Sequence, residues 1–157
     1  MRQTLFYQKM KKLTTLLCSL SFIPVFAGEI RESQIPEAVK AYVLKNYPEA
    51  SNIKWDFDKD DLIYEADFKI KTMEYELEIT PSGKLHASKE DISVSVLPRK
   101  VTEYIQANYP DYIILGANKN REHTAVTFDV GIKGKNKQGH IRHYNLVFNE
   151  KGEFIRR

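Results

Sequence analysis

Two short segments of the chain carry apolar residues at helical spacing. Each has four such positions at i, i+4, i+7 and i+8, which are Ile35, Val39, Tyr42 and Val43 in the first and Leu97, Val101, Tyr104 and Ile105 in the second. This spacing predicts two amphipathic helices with one buried face each. Asn-Tyr-Pro follows each segment and should end the helix, because the residue before a proline is disfavoured in helical geometry. Ser33 and Ser95 are the expected N-caps.

After each helix the apolar period changes from 3.6 to 2, which is typical of strands in a sheet with one wet face. In the first half the residues expected on the apolar side are Ile53, Trp55, Phe57, Leu62, Tyr64, Ala66, Phe68, Ile70, Met73, Tyr75, Leu77, Ile79, Leu85 and Ala87. In the second half they are Ile113, Leu115, Val126, Phe128, Val130, Ile132, Tyr144, Leu146, Phe148 and Phe154. Four strands are therefore predicted after each helix.

The two halves are copies of one unit. Six residues recur 62 positions later: Pro36, Val39, Tyr42, Asn46, Tyr47 and Pro48 match Pro98, Val101, Tyr104, Asn108, Tyr109 and Pro110. The offset is read as 62 at Asp67 and Asp129 and 69 at Tyr75 and Tyr144, which predicts a seven-residue insertion around 134–140. We predict an α+β fold of two tandem αββββ repeats, residues 28–94 and 95–157. They form a roughly eight-stranded antiparallel sheet with both helices on one face and the other face open.

The first 27 residues read as a signal peptide. Four basic residues precede a short apolar run from Leu13 to Phe26, and a small residue, Ala27, ends it. The run is shorter than the roughly 20 residues of a membrane span, so export to the periplasm or outside the cell is expected, with no span after signal removal. A retained signal anchor, a start at Met10 and a lipoprotein attached at Cys18 are the alternatives.

Removal of this segment changes the charge and the cysteine content. The whole chain has a net charge of +3, whereas residues 28–157 carry 20 Lys and Arg against 21 Asp and Glu. A mature chain with a net charge of −1 lacks the positive field that nucleic-acid binding requires. The only cysteine, Cys18, leaves with the signal, so no disulfide, thiol nucleophile or cysteine metal site is expected.

The repeated pattern Ile/Leu-Pro-x-x-Val-x-x-Tyr-Val/Ile-x-x-Asn-Tyr-Pro, followed by aromatic residues such as Trp55, alternating strands and a glycine turn, resembles a known family. It is similar to the tandem PepSY-like, β-lactamase-inhibitor-like repeats of small exported bacterial proteins. The resemblance implies a fold like that of β-lactamase inhibitor protein, with tandem units that present one concave antiparallel sheet to an enzyme. Those inhibitors rely on disulfides and this mature chain has none, so the identity of the partner is not carried over.

Few residues suggest catalysis. His140 and His143 have the spacing of a helical metal site, but on a strand an odd spacing places them on opposite faces. Ser51 and Lys54 match Ser-x-x-Lys only by composition, because they begin a strand. Asp56, Asp58 and Asp60 imitate a calcium loop, although Asp61 stands where such a loop needs glycine. An acidic hairpin turn is the favoured interpretation, and calcium binding is kept as the alternative.

Charge divides the two repeats. Residues 28–94 carry 9 Lys and Arg against 15 Asp and Glu, and residues 95–157 carry 11 against 6. The net charges are therefore −6 and +5. The polar face of the predicted sheet is the candidate partner-binding surface, represented by Glu65, Asp67, Glu74, Glu76, Glu78, His123, Thr127, His143 and Asn145, with Asp129, Val147, Arg121 and Arg142 on or near it.

These features favour a non-enzymatic exported binding module without a cofactor. Its expected partner is a protein or peptide of the cell envelope, and inhibition or regulation of a peptidase is one form of that function. The alternative is a calcium or small-ligand sensor centred on Asp56, Asp58 and Asp60. The charge asymmetry also has a structural interpretation, since opposite charges can help the two halves dock.

Overall fold

A computed structural model describes residues 30–157, so the predicted signal peptide lies outside the described residues. The helices are α1 (Glu37–Asn46) and α2 (Arg99–Asn108), each preceded by a 3-10 turn, Glu32–Gln34 or Val94–Val96. The strands are β1 (Ser51–Asp58), β2 (Ile63–Ile70), β3 (Met73–Ile79), β4 (Leu85–Ile92), β5 (Tyr112–Glu122), β6 (Ala125–Lys135), β7 (Ile141–Asn149) and β8 (Phe154–Arg156). The order is two successive αββββ units.

All eight strands form one antiparallel sheet in sequence order. β4 pairs with β5 from Ala87↔Glu122 to Ile92↔Ala117, so the sheet runs without a break from the first repeat into the second. The predicted fold class is confirmed. The predicted boundary after Val94 falls inside a 3-10 turn and stays a prediction. Within residues 30–157 no helix has the length and apolar character that a membrane crossing needs.

Both helices pack on the same face of the sheet. Val39 and Val43 of α1 contact a cluster that includes Trp55, Phe68 and Leu77. In the second repeat the cluster contains Val101 and Ile105 of α2 with Val130, Leu146 and Phe148. The opposite face, which we call the open face, carries no helix among the described residues. Removal of these apolar side chains from water is the main stabilising contribution to the fold.

The Asn-Tyr-Pro segments end the helices. Asn46 Nδ2 donates to the Tyr42 carbonyl at 2.8 Å, and Asn108 Nδ2 donates to the Tyr104 carbonyl at 2.9 Å. Each asparagine side chain therefore adds a second hydrogen bond to the carbonyl four residues before it, at the end of the helix. The Tyr47 ring then packs edge-on against Phe68 at 5.3 Å. The prediction that these segments terminate helices is confirmed.

The predicted N-caps are wrong. Ser33 and Ser95 lie in the 3-10 turns, three residues before Pro36 and Pro98, which occupy the N-cap positions and make no side-chain cap hydrogen bond. A proline at the start of a helix needs no donor of its own there, and its restricted φ fits the entry of the chain.

Four residues predicted on the apolar side lie elsewhere. Leu62 is 59% exposed in a turn with φ of 55°. Ala87 lies on the open face opposite Glu78, because a bulge at His86 breaks the alternation between Ile79↔Leu85 and Glu78↔Ala87. Ile113 and Leu115 are 64% and 55% exposed. Tyr112 and Ile114 point to the core instead, and a bulge before Gly116 returns Ala117 to the core.

The strand pairing also corrects the predicted alignment of the repeats. Trp55↔Ala66↔Leu77 in the first repeat corresponds to Ala117↔Val130↔Leu146 in the second. Asp67 is therefore equivalent to Gly131, not to Asp129. Two of the seven inserted residues lengthen the β5–β6 hairpin and the other five lengthen the β6–β7 hairpin. The total of seven is the one predicted, but its placement around 134–140 alone is wrong.

Candidate functional site on the open sheet face

The strand register defines which side chains share the open face. Residues opposite each other in an antiparallel sheet point to the same side. One row crosses seven strands and contains Lys54, Asp67, Glu76, Lys89, Asn120, Thr127 and Asn149. The row beside it contains Asp56, Glu65, Glu78, Ala87, Glu122 and Ala125. Apart from Ala87 and Ala125, these two rows are polar.

The first repeat contributes an acidic ladder, defined as Glu65, Asp67, Glu74, Glu76 and Glu78. Glu65 lies opposite Glu78, and Asp67 lies opposite Glu76. Like charges directly opposite each other in a sheet are destabilising. On β1 to β4 the open face has eight carboxylates and three lysines, which are Asp56, Asp58, Glu65, Asp67, Glu74, Glu76, Glu78 and Asp91 against Lys54, Lys69 and Lys89. This half of the face carries a clear negative excess.

Two lysines of this half form ion pairs. Lys69 Nζ lies 2.7 Å from Glu74 Oε1, and Lys89 Nζ lies 2.7 Å from Glu76 Oε1. Both pairs are exposed, so water screens them and each adds little to stability. Burial, followed by the neighbouring Glu76 charge, raises the pKa of Asp67, and Lys54 and Lys89 act in the opposite direction. Burial is therefore the main reason that the charged form of Asp67 is disfavoured, and the Glu76 carboxylate adds to it.

A hydrogen-bonded seam joins the two repeats on this face. Asp91 of β4 accepts from Asn118 Nδ2 of β5 at 2.5 Å and from the Glu74 backbone N–H of β3 at 3.1 Å. One carboxylate therefore links three neighbouring strands across the junction. The acceptor of the bond with Asn118 is a carboxylate, and hydrogen bonds to charged groups are among the stronger side-chain hydrogen bonds.

Asn120 and Asp129 lie beside this seam. Asn120 is only 7% exposed, and its Oδ1 atom has no hydrogen-bond partner among the described residues. Burial raises the pKa of Asp129, and the side-chain amides of Asn145 and Asn120, followed by the Lys89 charge, oppose that rise. The centre of the open face thus holds a buried acceptor and a carboxyl group that burial makes a weaker acid.

The second repeat contributes a glycine floor, defined as Gly116 and Gly131, which lie opposite each other on β5 and β6. A Cβ atom at Gly116 would meet nothing within 4 Å. Asn145 continues the row on β7, and Lys133 and His143 form the next row with the exposed Ile113. Glycine in a strand interior allows another molecule to approach the backbone closely.

The structure brings most predicted partner-binding residues together. Glu65, Asp67, Glu74, Glu76, Glu78, Thr127, His143 and Asn145 share the open face. His123 lies in the β5–β6 turn, where its ring contacts that of His86 at 4.8 Å. Arg121 lies opposite Ser88 and Val126 on the helix side. Whether these residues contact a partner stays a prediction.

The residues of the calcium alternative lie in and before a hairpin turn. Asp58 Oδ1 accepts from the backbone N–H groups of Asp60 and Asp61 at 2.9 and 3.3 Å, and Asp56 Oδ1 accepts from the Phe57 N–H at 2.7 Å. These are the contacts of aspartates in turns. Between Ile30 and Arg157 no three His, Cys, Asp or Glu side chains gather into a possible metal site. Calcium binding at Asp56, Asp58 and Asp60 stays a prediction.

Four residues of the site were missed at the level of sequence: Lys89, Asp91, Asn118 and Asn120. They face the same side because β4 pairs with β5, and that contact joins the two repeats. Residues 118–122 are all polar, so no alternation indicated which of them lie on the open face. Clefts on the helix side of residues 30–157 include one of about 450 Å³ lined by residues such as Tyr109 and Ile114, and one of about 310 Å³ lined by residues such as Ile53 and Trp55.

Comparison with known proteins agrees with this architecture. The family model described as "Putative beta-lactamase-inhibitor-like, PepSY-like" matches twice in tandem, at residues 26–89 and 86–156. No curated protein matches the sequence.

Solved structures from three Bacteroides species share the fold. A DUF2874 family protein from Bacteroides uniformis has a TM-score of 0.58 at 22% identity, over 77% of this chain and 86% of that one. One from Bacteroides eggerthii, described as among "putative periplasmic proteins", has a TM-score of 0.56 at 22% identity, over 77% and 86%. A BLIP-like protein from Bacteroides fragilis has a TM-score of 0.55 at 21% identity, over 76% and 83%. Likeness at this level of identity is one of fold.

Proposed function

Because the chain belongs to the beta-lactamase-inhibitor-like, PepSY-like family, we propose that it is an exported, non-enzymatic module that binds a protein of the cell envelope through its open sheet face. Inhibition or regulation of a peptidase or another envelope enzyme is the consequence we expect of that binding. The periplasm or the cell exterior is the expected location, which the predicted signal peptide at residues 1–27 supports.

One observation carries the proposal. Eight paired strands present a continuous, mostly polar face that no helix among residues 30–157 covers, while both helices pack on the other side. A folded chain needs only one apolar face for its core, and a large rigid surface of defined charge on the other is suited to protein recognition. The face spans both repeats, so a partner can contact the two at once.

The test places a photo-cross-linking amino acid at Thr127 on the open face, and in a matched variant at Ala107, which is exposed on α2. Both proteins are produced in the native host and irradiated in intact cells. We expect Thr127 to give a discrete adduct with an envelope protein and Ala107 to give none. Equal labelling from the two positions, or none from Thr127, would contradict the proposal. N-terminal sequencing of the exported chain should begin at Gly28.

The captured protein then decides the regulatory part of the proposal. If it is an enzyme, its activity is measured with and without the purified chain. We expect activity to change at concentrations at which the adduct forms. An unchanged activity would leave binding intact and remove inhibition from the function.

A further inference from the structure

We infer that the partner docks a cluster of arginine and lysine side chains on the acidic ladder, with an adjacent apolar side chain on the glycine floor. This inference rests on the proposed function, since it names the chemistry of the surface that the open face holds. The occupant is therefore a protein with a basic patch, rather than a metal ion or a small polycation.

The second repeat shows that the fold does not require the ladder. By strand register, Asp67, Glu74, Glu76 and Glu78 are equivalent to Gly131, His143, Asn145 and Val147, and only Glu65 has an acidic counterpart, Asp129. The same αββββ unit therefore forms with neutral residues at four of these five positions. The first repeat carries these acids although two of their cross-strand pairs bring like charges together.

The charges of this half are unbalanced within the open face. Eight carboxylates share the face of β1 to β4 with three lysines. Lys69 and Lys89 already contact Glu74 and Glu76. Cations supplied by a partner would relieve the repulsion within the cross-strand pairs Glu65–Glu78 and Asp67–Glu76, and opposite potentials would speed the encounter.

Asn120 is a second and independent sign of a missing donor. It lies in the row of Asp67 and Glu76, separated from Glu76 by Lys89. Its side chain is more than nine-tenths buried, and its Oδ1 accepts no hydrogen bond within residues 30–157. A guanidinium has five N–H donors in a fixed fork, so it can serve this oxygen and the Asp129 carboxylate together once the side chains around Asn120 move aside. Arginine is thus the preferred cation at the seam.

The glycine floor distinguishes a protein from a small polycation. Gly116 and Gly131 leave open space where the first repeat has Lys54 and Asp67, and Ile113 is exposed in the next row. A linear polyamine has no branched or aromatic side chain to place on this surface. A protein patch can place a leucine or phenylalanine there while its cations occupy the ladder.

The experiment uses the purified mature chain and three probes: a capped Arg-Arg-Gly-Arg-Leu-Phe peptide, the same peptide with Glu for Arg, and spermidine. Amide NMR spectra are recorded during titration at about 50 mM and about 150 mM salt, because screening lengths differ between these conditions. We expect the arginine peptide to shift the Asn120 and Asn145 side-chain amide signals and the ladder backbone signals. The glutamate peptide should shift none of them.

Two triple variants test the role of the ladder. One carries Glu65→Gln, Glu76→Gln and Glu78→Gln. The matched control carries Glu37→Gln, Glu103→Gln and Glu153→Gln away from the open face, and so has the same change in net charge. We expect about tenfold weaker peptide binding in the ladder variant and about twofold at most in the control. Equal losses in the two variants would mean that net charge alone attracts the peptide and would overturn the inference.

Gly116→Val tests the floor, and it should fold because the new side chain meets open space. We expect about fivefold weaker binding of the arginine peptide and unchanged binding of spermidine. If the variant binds both probes like the parent, or if spermidine binds as tightly as the peptide, the occupant is a polycation and not a protein patch.

Failure of this inference is distinguishable from failure of the proposed function. If Thr127 still gives its adduct in cells while the arginine peptide moves no signal, the open face binds a partner of other chemistry. The inference then falls alone. If neither the adduct nor the signal shift is seen, both fall.

Discussion

The two repeats have residues of the same type on the helix side of the sheet and of different types on the open face. On the helix side, Ala66 and Leu77 correspond to Val130 and Leu146, and all four are buried. On the open side, the row of Lys54, Asp67 and Glu76 corresponds to Gly116, Gly131 and Asn145. The apolar pattern is thus common to both copies, whereas the charges are not.

This difference separates what the fold requires from what it leaves free. Burial under a helix demands apolar residues of suitable volume, because a polar group there would lose its hydration. An uncovered strand face makes no such demand. The acidic ladder and the glycine floor are therefore two solutions on one scaffold, and they meet at the seam between β4 and β5.

The largest change in stability should come from substitutions on the helix side of the sheet. Leu77→Ala and Leu146→Ala each remove a side chain that is at most 1% exposed, and each should lower the free energy of unfolding by about 2–5 kcal/mol. Because one sheet joins the repeats, both variants should unfold in a single transition seen by urea denaturation with two spectroscopic probes.

Leu44→Ala is the control for these variants, because Leu44 is exposed on α1. It should change the free energy of unfolding by about 0.5 kcal/mol at most. Two separate transitions in either core variant would show that the repeats are independent units, and would contradict the view that the seam couples them.

The next effect concerns the last hairpin turn of each repeat. Gly83 and Gly152 have φ of 78° and 76°, and a Cβ atom would lie 2.5 Å from the Ala38 carbonyl oxygen or 3.0 Å from Pro98 Cβ. Gly83→Ala and Gly152→Ala should each destabilise the chain by about 1–3 kcal/mol, with the larger loss at Gly83, where the obstacle is backbone.

Gly139→Ala isolates the contribution of the backbone angle. Gly139 has φ of 77°, but nothing lies within 4 Å of a Cβ atom added there. Only the left-handed backbone conformation should therefore lower the free energy of unfolding of this variant, by about 1 kcal/mol. Thermal and urea unfolding of the three variants give the comparison. Equal losses at all three glycines would mean that helix packing against these turns is unimportant.

Much of the helix side of the sheet could be predicted from the sequence. Proline and Asn-Tyr-Pro bound each helix, and the strict alternation of Met73 to Ile79 allows one orientation only. Alternation failed where it was ambiguous. Ile113, Ile114 and Leu115 are three apolar residues in a row, so a bulge decides which of them is buried, and no local signal marks that bulge.

The site was predictable only in part, for the same reason. Glu74, Glu76 and Glu78 follow a regular alternation and were correctly placed on the open face. Asp91 and Asn118 meet because strands from different repeats pair, at a sequence separation of 27. Such non-local contacts leave no periodic trace in either strand, so the seam could not be read from the sequence.

The seam itself should contribute a moderate amount to stability. Asp91→Ala removes the acceptor of the Asn118 amide and of the Glu74 N–H, and should lower the free energy of unfolding by about 1–3 kcal/mol. Asp111→Ala, at an exposed position before β5, is the control and should have little effect. If Asp91→Ala unfolds like the parent in urea, solvent replaces both hydrogen bonds and the seam does not couple the repeats.

The smallest effect should come from pH at the centre of the open face. Burial raises the pKa of Asp129 above 3.8, so the folded chain holds this proton more tightly than the unfolded chain does. Stability from this group is therefore complete below the ordinary carboxyl pKa and is lost as the pH rises through the raised value. Asp129→Asn should raise the free energy of unfolding at pH 7, and the gain should vanish at about pH 3.

Asp67 in the first repeat allows the same measurement as Asp129 in the second. Burial also raises the pKa of Asp67, but its side chain is more exposed, so Asp67→Asn should give the same sign of change with a smaller size. Urea unfolding of both variants at the two pH values measures the difference. If Asp129→Asn is less stable than the parent at pH 7, the amides of Asn145 and Asn120 outweigh burial, and the carboxylate is held by a complete set of donors. The centre of the face would then have no need of a cation from a partner.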